Sequence, residues 1–149
     1  MTYVWEGSFP VSRLLETCIA PDWPAPPEAG GVYLVSELPW SKCPTVECRP
    51  LYVGSNTGRS PRFRTRIGDL FADLFGFYGE ETGHHSGGQH LHQYCREAGL
   101  APLALHLGWM RSTCPRCDEN ALVEYLRPKL NRSKPPQCRL HAQPAPASP

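Results

Sequence analysis

The pattern of hydrophobic and polar positions predicts one helix more clearly than any other element. Downstream of Ser60 and Pro61, apolar side chains recur at intervals of three and four residues: Phe63, Ile67, Leu70, Phe71, Leu74 and Phe75. That spacing places them on one face of an α-helix. A serine N-cap followed by proline in the first turn is a typical helix start. We therefore expect an amphipathic helix that begins near Pro61 and buries this stripe.

Shorter patterns predict the remaining elements. Three segments have the β-branched, aromatic or alternating composition of strands: 32–36, 51–54 and 104–110. Three others have apolar positions at helical spacing: 11–19, 91–97 and 119–126. The expected fold class is α+β, with a small three-stranded antiparallel sheet flanked by helices.

Composition divides the chain into three parts. The 17 prolines concentrate at 21–27 and after Ser133. We expect an N-terminal extension with a short helix over 1–28, a folded domain over 29–132, and a Pro-rich tail over 133–149. The tail has too little apolar area to offset its ordering entropy, so it is expected to be disordered.

The distribution of charge and the number of cysteines indicate which ligands and which cellular compartment to expect. The net charge is only +1, but segments 49–66 and 127–139 each hold five basic residues and no acid. Such segments favour phosphate binding, although solvated loop charge is the alternative. The seven cysteines cannot all pair within one chain. With neither a secretory signal nor an apolar membrane span in the pattern, we expect a cytoplasmic chain with reduced thiols.

Five features in order carry the chemistry. Gly31-Val32-Tyr33 is followed by Tyr52-Val53-Gly54, and Arg62 comes ten residues after Tyr52. Glu119 precedes Asn131 by twelve residues. Each feature alone is non-specific, but all of them at these spacings resemble the GIY-YIG nuclease superfamily. The resemblance covers residues 31 to 131 and implies a stand-alone catalytic domain.

The resemblance implies a DNA endonuclease that hydrolyses phosphodiester bonds with one metal ion. It assigns water activation to Tyr33, with Tyr52 as the alternative base, orientation of water or phosphate to Tyr52, and binding of the scissile phosphate to Arg62. It makes Glu119 the residue that binds Mg²⁺ (or Mn²⁺), and it gives Asn131 the role of supporting the site.

The residues themselves fit these roles. A carboxylate such as Glu119 is a hard oxygen ligand suited to Mg²⁺. Glu124 lies five positions further along the helix and points elsewhere. An arginine such as Arg62 offers a permanent charge and a planar donor fork for phosphate.

DNA contacts are expected from the basic segments and from a Gly- and His-rich loop near His85. Arg66 stands where relatives often have a histidine, so it could hold phosphate but is a poor proton donor. The expected DNA-binding residues are Arg59, Arg64, Arg66, His85, Lys129 and Arg132. Because little sequence remains for a DNA-reading domain, specificity could also require a homodimer partner or a separate DNA-targeting protein.

Two rival functions stay open. The chain could be a nucleic-acid-binding module that keeps the nuclease fold with little turnover. It could also be a Cys-based zinc or redox protein, because Cys114 and Cys117 form a Cys-x-x-Cys pair. Only the fold could bring a completing ligand to that pair, from Cys95, from Cys138, or from Cys43 with Cys48. Incidental structural thiols are the plainer interpretation.

Overall fold

The computed structural model describes residues 3–17, 30–56, 63–77 and 85–141. In chain order, the strands and α-helices of these residues are β1 (Trp5–Pro10), α1 (Val11–Thr17), β2 (Gly31–Ser36), β3 (Pro50–Ser55), α2 (Phe63–Leu74), α3 (Ser86–Ala98), β4 (His106–Arg111) and α4 (Pro115–Leu126). Short 3₁₀ turns lie at Val46–Cys48 and Pro102–Ala104. The α+β fold class is confirmed.

The four strands form one antiparallel sheet in the order β1-β4-β2-β3. The expectation of three strands was wrong, because Trp5–Pro10 pairs with β4 along the sheet edge. Residues assigned to the N-terminal extension therefore contribute a strand. The sequence of β1 does not predict a strand, because Gly7 and Pro10 are unfavourable in strands and the segment lacks clear apolar alternation.

The central strand β2 is buried on both faces. Tyr33 and Val35 pack with side chains of α1, α2 and α3 on one face, whereas Val32 and Leu34 pack with side chains of α4 on the other. The stripe predicted on α2 is confirmed, since its most buried members belong to the first of these cores: Phe63, Ile67, Leu70 and Leu74. The predicted helix start at Ser60–Pro61 lies outside the described residues.

Two helices begin earlier than expected. α3 begins at Ser86 rather than at residue 91, because His85 accepts a hydrogen bond from the Gly88 N–H and caps the helix. Glycine propensity alone argued for a loop there. α4 begins at Pro115, so Glu119 lies in its second turn rather than opening it. Proline is well suited to the first turn.

Of the tail over 133–149 that was expected to be disordered, residues 133–141 lie against α4, and the rest lies outside the described residues. The Asn120 side-chain amide donates to the Pro135 carbonyl at 2.6 Å. Lys134 Nζ lies 2.9 Å from Glu124 Oε2. Among the described residues, no helix combines the length and apolar character needed to cross a membrane.

Candidate active site

Tyr33 lies at the centre of the site and is fully buried. Strand register sets it opposite Gly54 on β3, and its ring and hydroxyl occupy the space that a Cβ on Gly54 would need. The glycine of the second tripeptide therefore makes room for the tyrosine of the first. The Tyr33 hydroxyl oxygen lies 2.5 Å from Nε2 of His85.

The hydrogen bonds around His85 determine which of its ring nitrogens carries the hydrogen. Its Nδ1 accepts from the Gly88 N–H at 3.0 Å, and its own backbone N–H donates to Asp73 Oδ2 at 2.7 Å. Burial, followed by the Arg66 charge, lowers the pKa of His85 to about 3, so the ring is neutral at physiological pH. A neutral ring that accepts at Nδ1 carries its hydrogen on Nε2. Nε2–H therefore donates to the Tyr33 oxygen.

Tyr52 stands between this buried pair and solvent. Its ring covers Gly87 at the start of α3, and its centroid lies 6.2 Å from that of Tyr33 and 5.9 Å from that of His85. Burial raises the pKa of Tyr52, as does the charge of Glu119, whereas a hydrogen bond with Tyr33 lowers it. Burial raises the pKa of Tyr33 as well.

A cleft of about 250 Å³ opens beside Tyr52. It lies between the start of α3, the second turn of α4 and the chain that follows α4. Among the described residues Glu119 is the one acid in its lining; the others are Tyr52, Ser86, His90, Leu130, Asn131, Arg132, Ser133 and Pro135. Tyr33 is not part of the lining. Of the two tyrosines, Tyr52 is therefore the one that can touch a molecule in the cleft.

Glu119 is held by the end of β3. The Ser55 hydroxyl donates to its Oε2 at 2.5 Å, and Oε1 accepts no hydrogen bond from the described residues. Burial raises the pKa of Glu119, whereas the Ser55 hydroxyl and the charges of Arg66 and Arg116 lower it. One carboxylate oxygen is thus fixed and the other remains available to a ligand.

Arg66 supplies positive charge to all of these groups. Burial raises the pKa of Tyr33, Tyr52 and Glu119, and the Arg66 charge opposes that rise; burial lowers the pKa of His85, and the Arg66 charge adds to that fall. Within the described part of the chain, Arg66 forms no ion pair. Its charge therefore remains available to an anion.

Asn131 has a structural contact at the rim of the cleft. Its side chain accepts from the Val53 N–H at 2.9 Å and donates to the Val53 carbonyl at 2.8 Å. The backbone N–H groups of Lys129 and Leu130 also donate to β3 carbonyls. The segment thereby covers the edge of β3 and satisfies its free hydrogen-bonding groups.

The remaining predicted residues fall into three groups. Arg59 and Arg62 lie outside the described residues. Arg64 and Arg132 are exposed, and Lys129 Nζ lies 4.7 Å from the centroid of the Tyr94 ring. His85, expected to contact DNA, is fully buried, so its side chain does not reach the surface in this structure.

A second cluster of polar side chains lies at the start of α4, before the turn that carries Glu119. Cys114, Cys117, Cys138 and His141 place one potential ligand atom each within 4.8 Å of one another. The Cys-x-x-Cys pair and Cys138 were considered from the sequence, but His141 was missed. Its Cys138-Arg-Leu-His141 spacing is a signal that could have indicated it.

Comparisons of the chain with protein-family models, with curated proteins and with solved structures each found no match. What the chain does must therefore be inferred from the geometry of its own residues.

Proposed function

We propose that this chain is a metal-dependent DNA endonuclease with a GIY-YIG-type active site. The observation that carries the proposal is the convergence of Tyr52 and Glu119 on one cleft, with the Arg66 charge close to both. A phosphodiesterase needs an activated water, positive charge for the developing anion, and a metal-holding carboxylate. Residues suited to each of these tasks lie around this cleft.

Tyr52 is the residue we assign to the attacking water. Hydrogen bonds run from the Gly88 N–H to His85 and from His85 to Tyr33, whose ring lies next to that of Tyr52. Tyr52 lines the cleft whereas Tyr33 does not, so Tyr52 is the tyrosine that can meet a water there. Tyr33, which the sequence favoured as the base, then acts as a positioning residue behind Tyr52.

Glu119 is the residue we assign to the metal. Its Oε1 is free of hydrogen bonds from the described residues, while Ser55 orients the other oxygen. Mg²⁺ often binds proteins through one or two carboxylates and keeps several waters, so a lone carboxylate fits it. When bound, such an ion would lower the pKa of a water and neutralise charge on the phosphate.

Basic side chains supply the phosphate contacts. Arg132 lines the cleft and is exposed, and Arg66 adds its charge from α2. Neither residue forms an ion pair with the described acids. Guanidinium groups without a carboxylate partner are well suited to bind phosphate oxygens in two-point contacts.

The proposal is tested by incubating folded protein with supercoiled plasmid and with single-stranded, flapped and branched DNA, in Mg²⁺ or Mn²⁺. We expect nicking or cutting that requires the metal. The rival, a nucleic-acid-binding module, would give salt-dependent DNA binding without cleavage under every condition. That outcome would overturn the enzymatic proposal while leaving the fold and the cleft intact.

A further inference from the structure

The cysteine and histidine cluster at the start of α4 has the geometry of a metal site. Cys114 Sγ lies 3.6 Å from Cys138 Sγ, and Cys117 Sγ lies 3.4 Å from His141 Nδ1. A tetrahedral zinc ion about 2.3 Å from sulfur and about 2.0 Å from nitrogen separates these atom pairs by roughly 3.8 and 3.5 Å. The Cys138 Sγ to His141 Nδ1 distance, 2.9 Å, would widen slightly on binding.

A disulfide explains the cluster less well. The Cys114 to Cys138 sulfur separation of 3.6 Å is far longer than a disulfide bond of about 2.05 Å. A single disulfide would also leave Cys117 and His141 unused, although both converge on the same point. Three thiols and one imidazole form a soft ligand set that favours zinc over magnesium or calcium.

The sequence spacing supports the same conclusion. Each half of the cluster has two residues between its ligands, Cys114-Pro-Arg-Cys117 and Cys138-Arg-Leu-His141. Short spacings of this kind are typical of structural zinc sites. Cys114 is the N-cap of α4 and Cys117 lies in its first turn. The helix start therefore fixes the positions of two of the four ligands.

We propose that Cys114, Cys117, Cys138 and His141 bind one structural Zn²⁺ that holds the C-terminal segment against α4. The segment between Cys117 and Cys138 contains Glu119 and the residues that line one side of the cleft, from Leu130 to Pro135. With four protein ligands the site is closed, as in structural rather than catalytic zinc sites. The ion therefore fixes the wall of the cleft and takes no part in hydrolysis.

This site stands apart from the nuclease proposal, since it would hold the fold even in a chain with no enzymatic activity. The Zn²⁺ content can be measured without any DNA. A zinc-loaded protein that cuts no DNA would support the zinc site alone, and a zinc-free protein that cuts DNA would support the nuclease alone.

The first experiment measures metals in the purified full chain by plasma mass spectrometry after dialysis without chelator. We expect one Zn²⁺ per chain, and loss of this zinc in Cys138→Ser, with affinity reduced by more than roughly 100-fold. Cys43→Ser is the matched control, because Cys43 is exposed and lies outside the cluster, so it should keep one Zn²⁺. Stoichiometric iron or copper, zinc equal in all three proteins, or a Cys114–Cys138 disulfide in peptide mass spectra would overturn the proposal.

A second variant guards against simple misfolding of Cys138→Ser. His141→Cys replaces the imidazole with a fourth thiol, so it should retain one metal ion and a normal fold. With Co²⁺ as the probe, we expect tetrahedral visible bands in wild type and a stronger thiolate-to-cobalt charge-transfer band in His141→Cys. Unchanged charge-transfer intensity in a folded, cobalt-bound His141→Cys would exclude residue 141 as a ligand and overturn the assignment.

The structural role is tested by hydrogen exchange of the wild-type chain before and after zinc removal. We expect faster exchange over residues 133–141 and the first turn of α4, with β2 and β4 little changed. Equal exchange of the C-terminal segment in both states would contradict its attachment by the ion.

Discussion

The Tyr33 hydroxyl oxygen and the His85 Nε2 nitrogen lie 2.5 Å apart, with both side chains fully buried. This contact joins the central strand β2 to the residue that caps α3. Because the Gly88 N–H occupies the other ring nitrogen, His85 donates and Tyr33 accepts. The direction of this hydrogen bond leaves the Tyr33 hydrogen free for an acceptor other than His85.

Tyr33→Phe should therefore destabilise the protein. Without the hydroxyl, the His85 Nε2–H stays buried with no acceptor, and such a loss costs about 1–3 kcal/mol. Urea denaturation should show a lower free energy of unfolding by this amount. Tyr125→Phe is the matched control, because Tyr125 is 66% exposed and should change stability little. Equal stability of the two variants would mean that the Tyr33 hydroxyl holds no buried donor.

Stability should fall in mild acid because of His85. Its pKa is about 3 in the folded chain and about 6.5 when unfolded, so only the unfolded state binds the proton between these values. The free energy of unfolding then drops as pH falls, by up to about 1.4 kcal/mol per unit. From pH 7 to pH 5 this contribution is about 2 kcal/mol.

His85→Gln removes that proton-binding difference. Urea denaturation at pH 7 and pH 5 should show that wild type loses about 2 kcal/mol more than the variant over this range. The comparison uses the change with pH, so a uniform loss of stability in His85→Gln does not affect it. The same pH dependence in both proteins would show that His85 titrates normally in the folded state.

Gly54→Ala should be destabilising and Gly68→Ala stabilising. A Cβ on Gly54 would collide with the Tyr33 ring and hydroxyl, and overpacking of this kind costs about 1–3 kcal/mol. Gly68 lies on the exposed face of α2, where an added Cβ meets nothing within 4 Å. Alanine there should raise the free energy of unfolding by about 0.5–1 kcal/mol. Thermal melts that rank the two variants in the opposite order would contradict this packing.

Tyr52→Phe should remove most cleavage without unfolding the protein. If its hydroxyl handles the attacking water, the loss should be about 10²- to 10⁴-fold in cleavage rate. Tyr52 lines the cleft and Tyr33 is fully buried, so the free energy of unfolding should change less than in Tyr33→Phe. Single-turnover nicking rates give the comparison, with Tyr125→Phe as the active control. A folded Tyr52→Phe that cuts DNA at the wild-type rate would move the water-activating role elsewhere.

Local sequence patterns predicted those elements whose packing repeats at short range. The stripe from Phe63 to Phe75 is a clear case, because helical spacing alone defines its buried face. β1 was missed because its stability comes from pairing with β4, about one hundred residues away in the chain. The early start of α3 was missed because the cap is a histidine, whereas Ser, Thr, Asp and Asn are the usual N-cap residues.

In the candidate site, too, local spacing predicted some features, whereas others depend on contacts between distant parts of the chain. Spacing brought Tyr33, Tyr52 and Glu119 together as one hypothesis, and the last two line a common cleft. Burial could not be read from spacing, so the sequence favoured Tyr33 as the residue that meets water and His85 as a surface contact. The fourth member of the cysteine cluster, His141, needed the fold to bring it back to Cys117.

The most direct test of the nuclease proposal compares two glutamates on α4. Glu119 is held by Ser55 in the cleft, whereas Glu124 is exposed and paired with Lys134. Plasmid nicking should be measured with wild type, Glu119→Gln and Glu124→Gln across a Mg²⁺ titration, with circular dichroism to establish folding. We expect Glu124→Gln to cut DNA like wild type and Glu119→Gln to be inactive at every Mg²⁺ concentration. A folded Glu119→Gln that nicks DNA as fast as Glu124→Gln would contradict the proposed metal-dependent active site.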